Sequence, residues 1–98
     1  MPGKISVRRL ILKIKKMIPV LTNKQLQILE LMAHGFTNTE IAKIVRLSKR
    51  SIENIRKSIV EKFEANNSTE AVSKAIFTGV LAYEPDRFSE LKQQQGKS

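Results

Sequence analysis

Residues 37 to 63 read Thr-Asn-Thr-Glu-Ile-Ala-Lys-Ile-Val-Arg-Leu-Ser-Lys-Arg-Ser-Ile-Glu-Asn-Ile-Arg-Lys-Ser-Ile-Val-Glu-Lys-Phe, and two helix starts are written into them. Thr37 with Glu40 three residues later is a capping box, in which each side chain satisfies a backbone donor that the first turn leaves unpaired. Ser48 is placed to cap a second helix. About three residues separate the two helices, which sets them at a steep angle and turns the second outward. In a basic chain, a helix-turn-helix of this kind points to DNA.

The surrounding composition agrees. Ninety-eight residues with 41% hydrophobic content suit one small domain, and the formal charge is +9. Residues 1 to 20 hold six Lys/Arg and no acid, residues 21 to 65 hold eight against five, and residues 66 to 98 hold four against four. An excess of this kind favours polyanions, because each phosphate neutralised by Lys or Arg releases condensed counterions. With no cysteine, disulfides and thiolate metal ligation are excluded. No stretch is long enough to span a membrane and none reads as a cleavable leader, so a cytoplasmic setting is expected.

Outward from the pair, the chain continues as helices. Val7, Leu10, Ile11, Ile14, Met17 and Ile18 recur at helical spacing with Arg8, Arg9, Lys13, Lys15 and Lys16 mostly off that stripe, predicting a basic amphipathic helix over residues 4–18 that stops before Pro19. Thr22 and Gln25 form a second capping box, opening a helix that should end near His34 with Gly35 as a left-handed cap. Its Leu26, Ile28, Leu29, Leu31, Met32 and Ala33 cover most of the helix circumference, more than one partner buries. The helix at 4–18, or the same helix of a second subunit, is the expected additional cover. Asn67 with Glu70 opens a further helix carrying Ala71, Val72, Ala75, Ile76, Phe77, Val80 and Leu81. Pro85 ends it, Asp86 starts a short turn with Phe88 and Leu91, and the Gln-Gln-Gln-Gly-Lys-Ser end reads as disordered.

Taking the second helix of the pair as residues 49–64, Ile52, Ile55, Ile59 and Phe63 form its inward stripe with Val60 at the flank. The opposite face is then Arg50, Glu53, Asn54, Lys57 and Glu61. Asn pairs bidentately with adenine and Lys or Arg with guanine, so Arg50, Asn54 and Lys57 are the base-reading candidates. Glu53 has two readings: it accepts from a cytosine amine, or it pairs with Lys57 four residues ahead and orients it. Lys49 and Ser51 beside the groove walls, and Thr37 and Asn38 at the start of the first helix, are the phosphate-contact candidates. His34, the sole histidine, lies at a helix C-terminus with no cysteine or acidic cluster nearby, so neither catalysis nor metal binding is expected, nor any cofactor.

Residues 21 to 81 resemble the LuxR/GerE-type DNA-binding domain of bacterial transcription regulators. The likeness is carried by Leu21-Thr22, Lys24-Gln25, Ile28-Leu29, Ala33, Gly35, Thr37-Asn38, Glu40-Ile41-Ala42, Ser48, Ser51-Ile52, Ile59, Lys62-Phe63, Thr69-Glu70-Ala71-Val72, Ala75 and Gly79. It implies an all-α fold, a four-helix unit over residues 21–82 with an extra N-terminal amphipathic helix in residues 1–20 and a C-terminal tail over 83–98. It further implies sequence-specific double-stranded DNA binding and transcription regulation, with groove contacts from Glu53, Asn54 and Lys57. The fourth helix would form a homodimer seam through Val72, Ile76 and Val80. RNA polymerase or a co-regulator is a possible further partner.

The chain departs from the family at Ile55, where histidine is common, at Glu53, where a basic residue is common, at Gln25 and Gln27, where glutamates are usual, and at Leu26, often polar. Base preference therefore does not transfer. Twenty residues before Leu21 are too few for a receiver or sensing domain, so a signal is expected to act through abundance, a partner or a co-bound regulator. Two other readings are a promoter-binding module like that of a sigma factor, against which the Thr69–Val72 helix start and Gly79 speak, and a membrane-surface or partner-binding protein acting through residues 4–18.

Overall fold

The helix that begins after Thr22 shows how this chain starts and stops its elements. In a computed structural model, which describes residues 7–9 and 18–96, Thr22 Oγ1 accepts from the Gln25 backbone N–H at 3.1 Å. The Gln25 side-chain oxygen accepts from the Thr22 N–H at 2.9 Å. Helix α1, Asn23–Ala33, follows. It ends where Gly35 turns to φ +84° and the N–H groups of Gly35 and Phe36 reach back to the carbonyls of Met32 and Leu31. Only a residue without a side chain adopts that backbone freely.

Three more helices repeat the scheme: α2, Asn38–Val45, capped by Thr37, α3, Lys49–Lys62, capped by Ser48, and α4, Ser68–Phe77, capped by Asn67. The first two boxes are reciprocal as the spacing predicts, whereas at Asn67 only half of the box forms. Asn67 Oδ1 accepts from the Glu70 N–H at 2.8 Å, but the Glu70 carboxylate goes instead to Asn66 Nδ2 at 3.0 Å and Lys74 Nζ at 3.3 Å. The fourth helix is also shorter than its apolar pattern suggested. It stops at Phe77, and Val80 and Leu81 lie beyond a left-handed turn at Gly79.

The core is formed by Ile28, Leu29, Leu31, Phe36, Ile41, Ile52, Ile59, Phe63, Ala71, Ala75 and Leu81, with Met32 at its edge. Ile52, Ile59 and Phe63 of α3 are buried and Ile55 is half-buried, the stripe expected from the spacing. Helix α1 packs against α2, α3 and α4, which accounts for the breadth of its apolar surface. A polar clasp ties its start to α3: Gln25 Nε2 donates to Ser58 Oγ at 3.0 Å, and Lys62 Nζ donates to Gln25 Oε1 and to the Val20 carbonyl, each at 2.8 Å.

The C-terminal segment differs from the expected disordered end. A turn at residues 85–88 leads into α5, Ser89–Gly96, which runs through the glutamines. The turn seats Phe88 against the rings of His34, 4.8 Å away, and Phe36, 6.0 Å away, both near perpendicular. Arg87 Nε pairs with Glu30 at 3.0 Å. His34 is buried, with Tyr83 stacked on it at 4.9 Å, Nδ1 lying 2.9 Å from the Glu30 carbonyl oxygen and Nε2 lying 2.7 Å from that of Glu84. Over the end of α1, the cover among the described residues is thus the C-terminal segment. Of the helix expected over 4–18, residues 7–9 are helical, Ile18 lies in a bend beyond any helix, and the other positions, with their packing, lie outside the described residues.

Candidate nucleic-acid interface

Three residues, Arg46, Leu47 and Ser48, join α2 to α3. The turn is sharp because Arg46 takes a left-handed conformation, φ 58° and ψ 47°, and the Leu47 N–H returns to the Ala42 carbonyl at 3.0 Å. Ser48 then starts α3 at once: its Oγ accepts from the Ser51 N–H at 3.0 Å and donates to Ser51 Oγ at 2.9 Å. The turn length legible in the sequence is therefore enforced by one strained residue and one cap.

Burying Ile52, Ile59 and Phe63 fixes which side of α3 faces away. Lys49, Arg50, Glu53, Asn54, Lys57 and Glu61 are all exposed, and the structure brings the four proposed base-reading residues onto this one face. Ser51 is half-buried and tied to Ser48, which leaves it at the base of the face and not on its crest. Of the two readings of Glu53, pairing with Lys57 is not made: among the described residues the ion pairs are Lys74–Glu70 and Arg87–Glu30. Among the described residues neither the Glu53 carboxylate nor the Lys57 ammonium has an ion-pair partner.

Thr37 is exposed at the start of α2, its hydroxyl accepting from the Glu40 N–H at 3.2 Å. Asn38 plays a part that spacing did not reveal. Its Oδ1 accepts from Arg56 Nη1 at 2.7 Å, a charge-assisted bond that fixes the start of α2 to the middle of α3. Among the described residues its side-chain amide N–H₂ has no hydrogen-bond partner. Arg56 was missed because it lies between the inward stripe and the exposed face, and its partner is eighteen residues away. It lines a shallow groove of about 470 Å³ together with Asn38, Glu53, Lys57, Val60, Glu61, Asn67 and Ser68.

Helix α4 buries Ala71 and Ala75 and turns Ile76, 43% exposed, and Phe77, 86% exposed, outward; Val72 on the helix and Val80 beyond its end are half-buried against the core. The Lys74 ammonium and the Asn66 amide hold the Glu70 carboxyl below the usual carboxylate range. Among the described residues no group of acidic, histidine or cysteine side chains is arranged to hold a metal ion, and no helix is long and apolar enough to cross a membrane.

Residues 19–75 match the family described as GerE, bacterial regulatory proteins of the luxR family. The chain belongs to that family. The match favours the luxR-type reading of this helix-turn-helix over the sigma-factor alternative and supports DNA binding and transcription regulation. Three luxR-type relatives share it. An uncharacterized response regulatory protein, YgeK of Escherichia coli, is 38% identical over 60 residues, 61% of this chain and 41% of that protein. The transcriptional regulatory protein ComA of Bacillus subtilis is 48% identical over 62 residues, 63% of this chain and 29% of that protein. The transcriptional regulatory protein DegU of Brevibacillus brevis is 29% identical over 65 residues, 66% of this chain and 28% of that protein. The chain thus spans well under half the length of each of these relatives. No solved structure gives a significant match.

Proposed function

We propose that this luxR-family chain regulates transcription in the cytoplasm by binding double-stranded DNA as a homodimer, with α3 in the major groove. The observation that carries the reading is the exposed face of α3, where Arg50, Asn54 and Lys57 stand together with no carboxylate partner among the described residues. These three read base edges, and the unpaired Glu53 accepts from a cytosine amine. Lys49, Ser51, Thr37 and Asn38 hold the phosphates beside them. Val72 and Ile76 of α4, with Val80 just beyond its end, form the two-fold contact, which sets two copies of α3 in successive major grooves about one helical turn apart. No cofactor takes part. The site is approximately palindromic, and RNA polymerase or a co-regulator is met on the DNA.

Selection of bound sequences from a random duplex library, with the mass of the complex, tests this. A symmetric motif bound by two chains is the expected result. On that motif, Asn54→Ala and Lys57→Ala each weaken binding by about 1–3 kcal/mol and relax preference at particular base pairs, while Lys49→Ala weakens all sequences alike. Equal losses on every sequence from all three substitutions would refute the base-reading roles. A single chain on an asymmetric motif would refute the dimer.

A further inference from the structure

We propose that Lys92, carried by the C-terminal helix α5, is a DNA-backbone contact that extends the interface beyond the helix-turn-helix. The inference rests on the duplex-binding reading and concerns a residue outside the segment that matches the luxR family, which ends at residue 75.

Four observations place it there. Lys92 Nζ lies 5.7 Å from the Phe36 ring centroid, and a methyl group at Gly35 would sit 3.2 Å from it. Gly35 and Phe36 are the two residues before Thr37, so two steps of about 3.8 Å along the backbone lead from beneath the ammonium to the start of α2. Thr37 and Asn38 there are the proposed phosphate contacts, and the ammonium stands on the same turn.

Second, the position is anchored. Phe88 is held between His34 and Phe36, Arg87 is paired with Glu30, and the Glu84 carbonyl meets His34. Third, the charge is available: Arg87 is neutralised by Glu30, while Lys92 is exposed and pairs with no carboxylate among the described residues. Fourth, the ring beneath it is apolar and buried, so it offers the ammonium no oxygen acceptor from below, and the acceptor comes from above, on a phosphate. A lysine there acts as a point charge; it strengthens binding to every duplex and selects none.

The test is duplex binding by the full chain over a range of salt concentrations, on the selected motif and on an unrelated duplex, with Lys92→Ala and Lys92→Arg. For Lys92→Ala the slope of log affinity against log salt falls by about 0.9, and low-salt affinity drops about three- to tenfold, equally on both duplexes. Lys92→Arg keeps the slope. An unchanged slope in Lys92→Ala overturns the proposal, as does an equal loss in both variants, which would mark a packing role. Wild-type chain that fails to bind duplex at all would bring down the function proposed above as well. Wild-type binding that is unaffected by Lys92→Ala, yet loses base preference in Lys57→Ala, removes only the contact at α5.

Discussion

Arg46 and Glu64, at the two ends of α3, are non-glycine residues in left-handed backbone, with φ of 58° and 52°. In that conformation Cβ crowds the following carbonyl, at a cost of about 1–2 kcal/mol for an L-residue. Glycine removes the clash but gives the unfolded chain extra freedom worth about 0.4–1 kcal/mol. At the middle of both ranges the net expectation for Arg46→Gly, and separately for Glu64→Gly, is a gain of about 0.8 kcal/mol. The fourteen residues of α3 hold the two sites about 21 Å apart, so the gains add, to about 1–2 kcal/mol in the double variant. At about 4–8 °C of melting temperature per kcal/mol for a chain of this size, thermal unfolding followed by circular dichroism resolves the effect. Arg46→Ala is the control, since it removes the same charge and stem but keeps Cβ. A glycine variant no more stable than the alanine variant would refute the account of the turn.

Ile59 is fully buried where α3 meets the core, so Ile59→Ala should cost about 2–5 kcal/mol in urea unfolding; a loss near zero would contradict its placement. Phe88→Ala removes the ring between His34 and Phe36, and amide exchange in residues 84–94 should then speed up while that of α3 stays slow; uniform protection as in the parent chain would show that the segment is held by something else. The Glu70 carboxyl is lowered by Lys74 and Asn66, so its contribution to stability is present above the ordinary carboxylate range and is lost only as pH falls through its lower folded value. Carbon-detected titration should find its midpoint below that of the other exposed glutamates, and Lys74→Met should bring it back up.

Local rules made most of the fold legible. Thr22, Thr37, Ser48 and Asn67 each accept the backbone bond that their spacing implied, and the inward stripe of α3 followed from period alone. The exposed side of α3 was legible for the same reason, because burying one stripe leaves no choice about the other. What stayed hidden depends on partners distant in sequence. Arg56 and Asn38 meet only after α2 and α3 are docked. Phe88 finds His34 only once the chain has passed Gly79 and doubled back on α1. A polar, glutamine-rich end with two scattered apolar residues carries little periodicity, so its order came from the aromatic pocket it fills and not from its own pattern. The second cap of α4 failed for a plainer reason: Glu70 had a cation four residues on and an amide beside it, and these won over the backbone.

The separation of the two sides of α3 has a consequence for how such a protein changes over generations. Among the described residues the side chains of Arg50, Glu53, Asn54 and Lys57 make no hydrogen bond or ion pair, and substitutions at such exposed positions usually alter stability by no more than about 0.5 kcal/mol. The residues that set the helix in place, from Ile52 to the clasp of Gln25 and Lys62, lie elsewhere. On the base-reading role proposed for this face, target preference can therefore drift through many combinations without a fold to repair at each step, so related chains can diverge in the sequences they bind long before they diverge in shape.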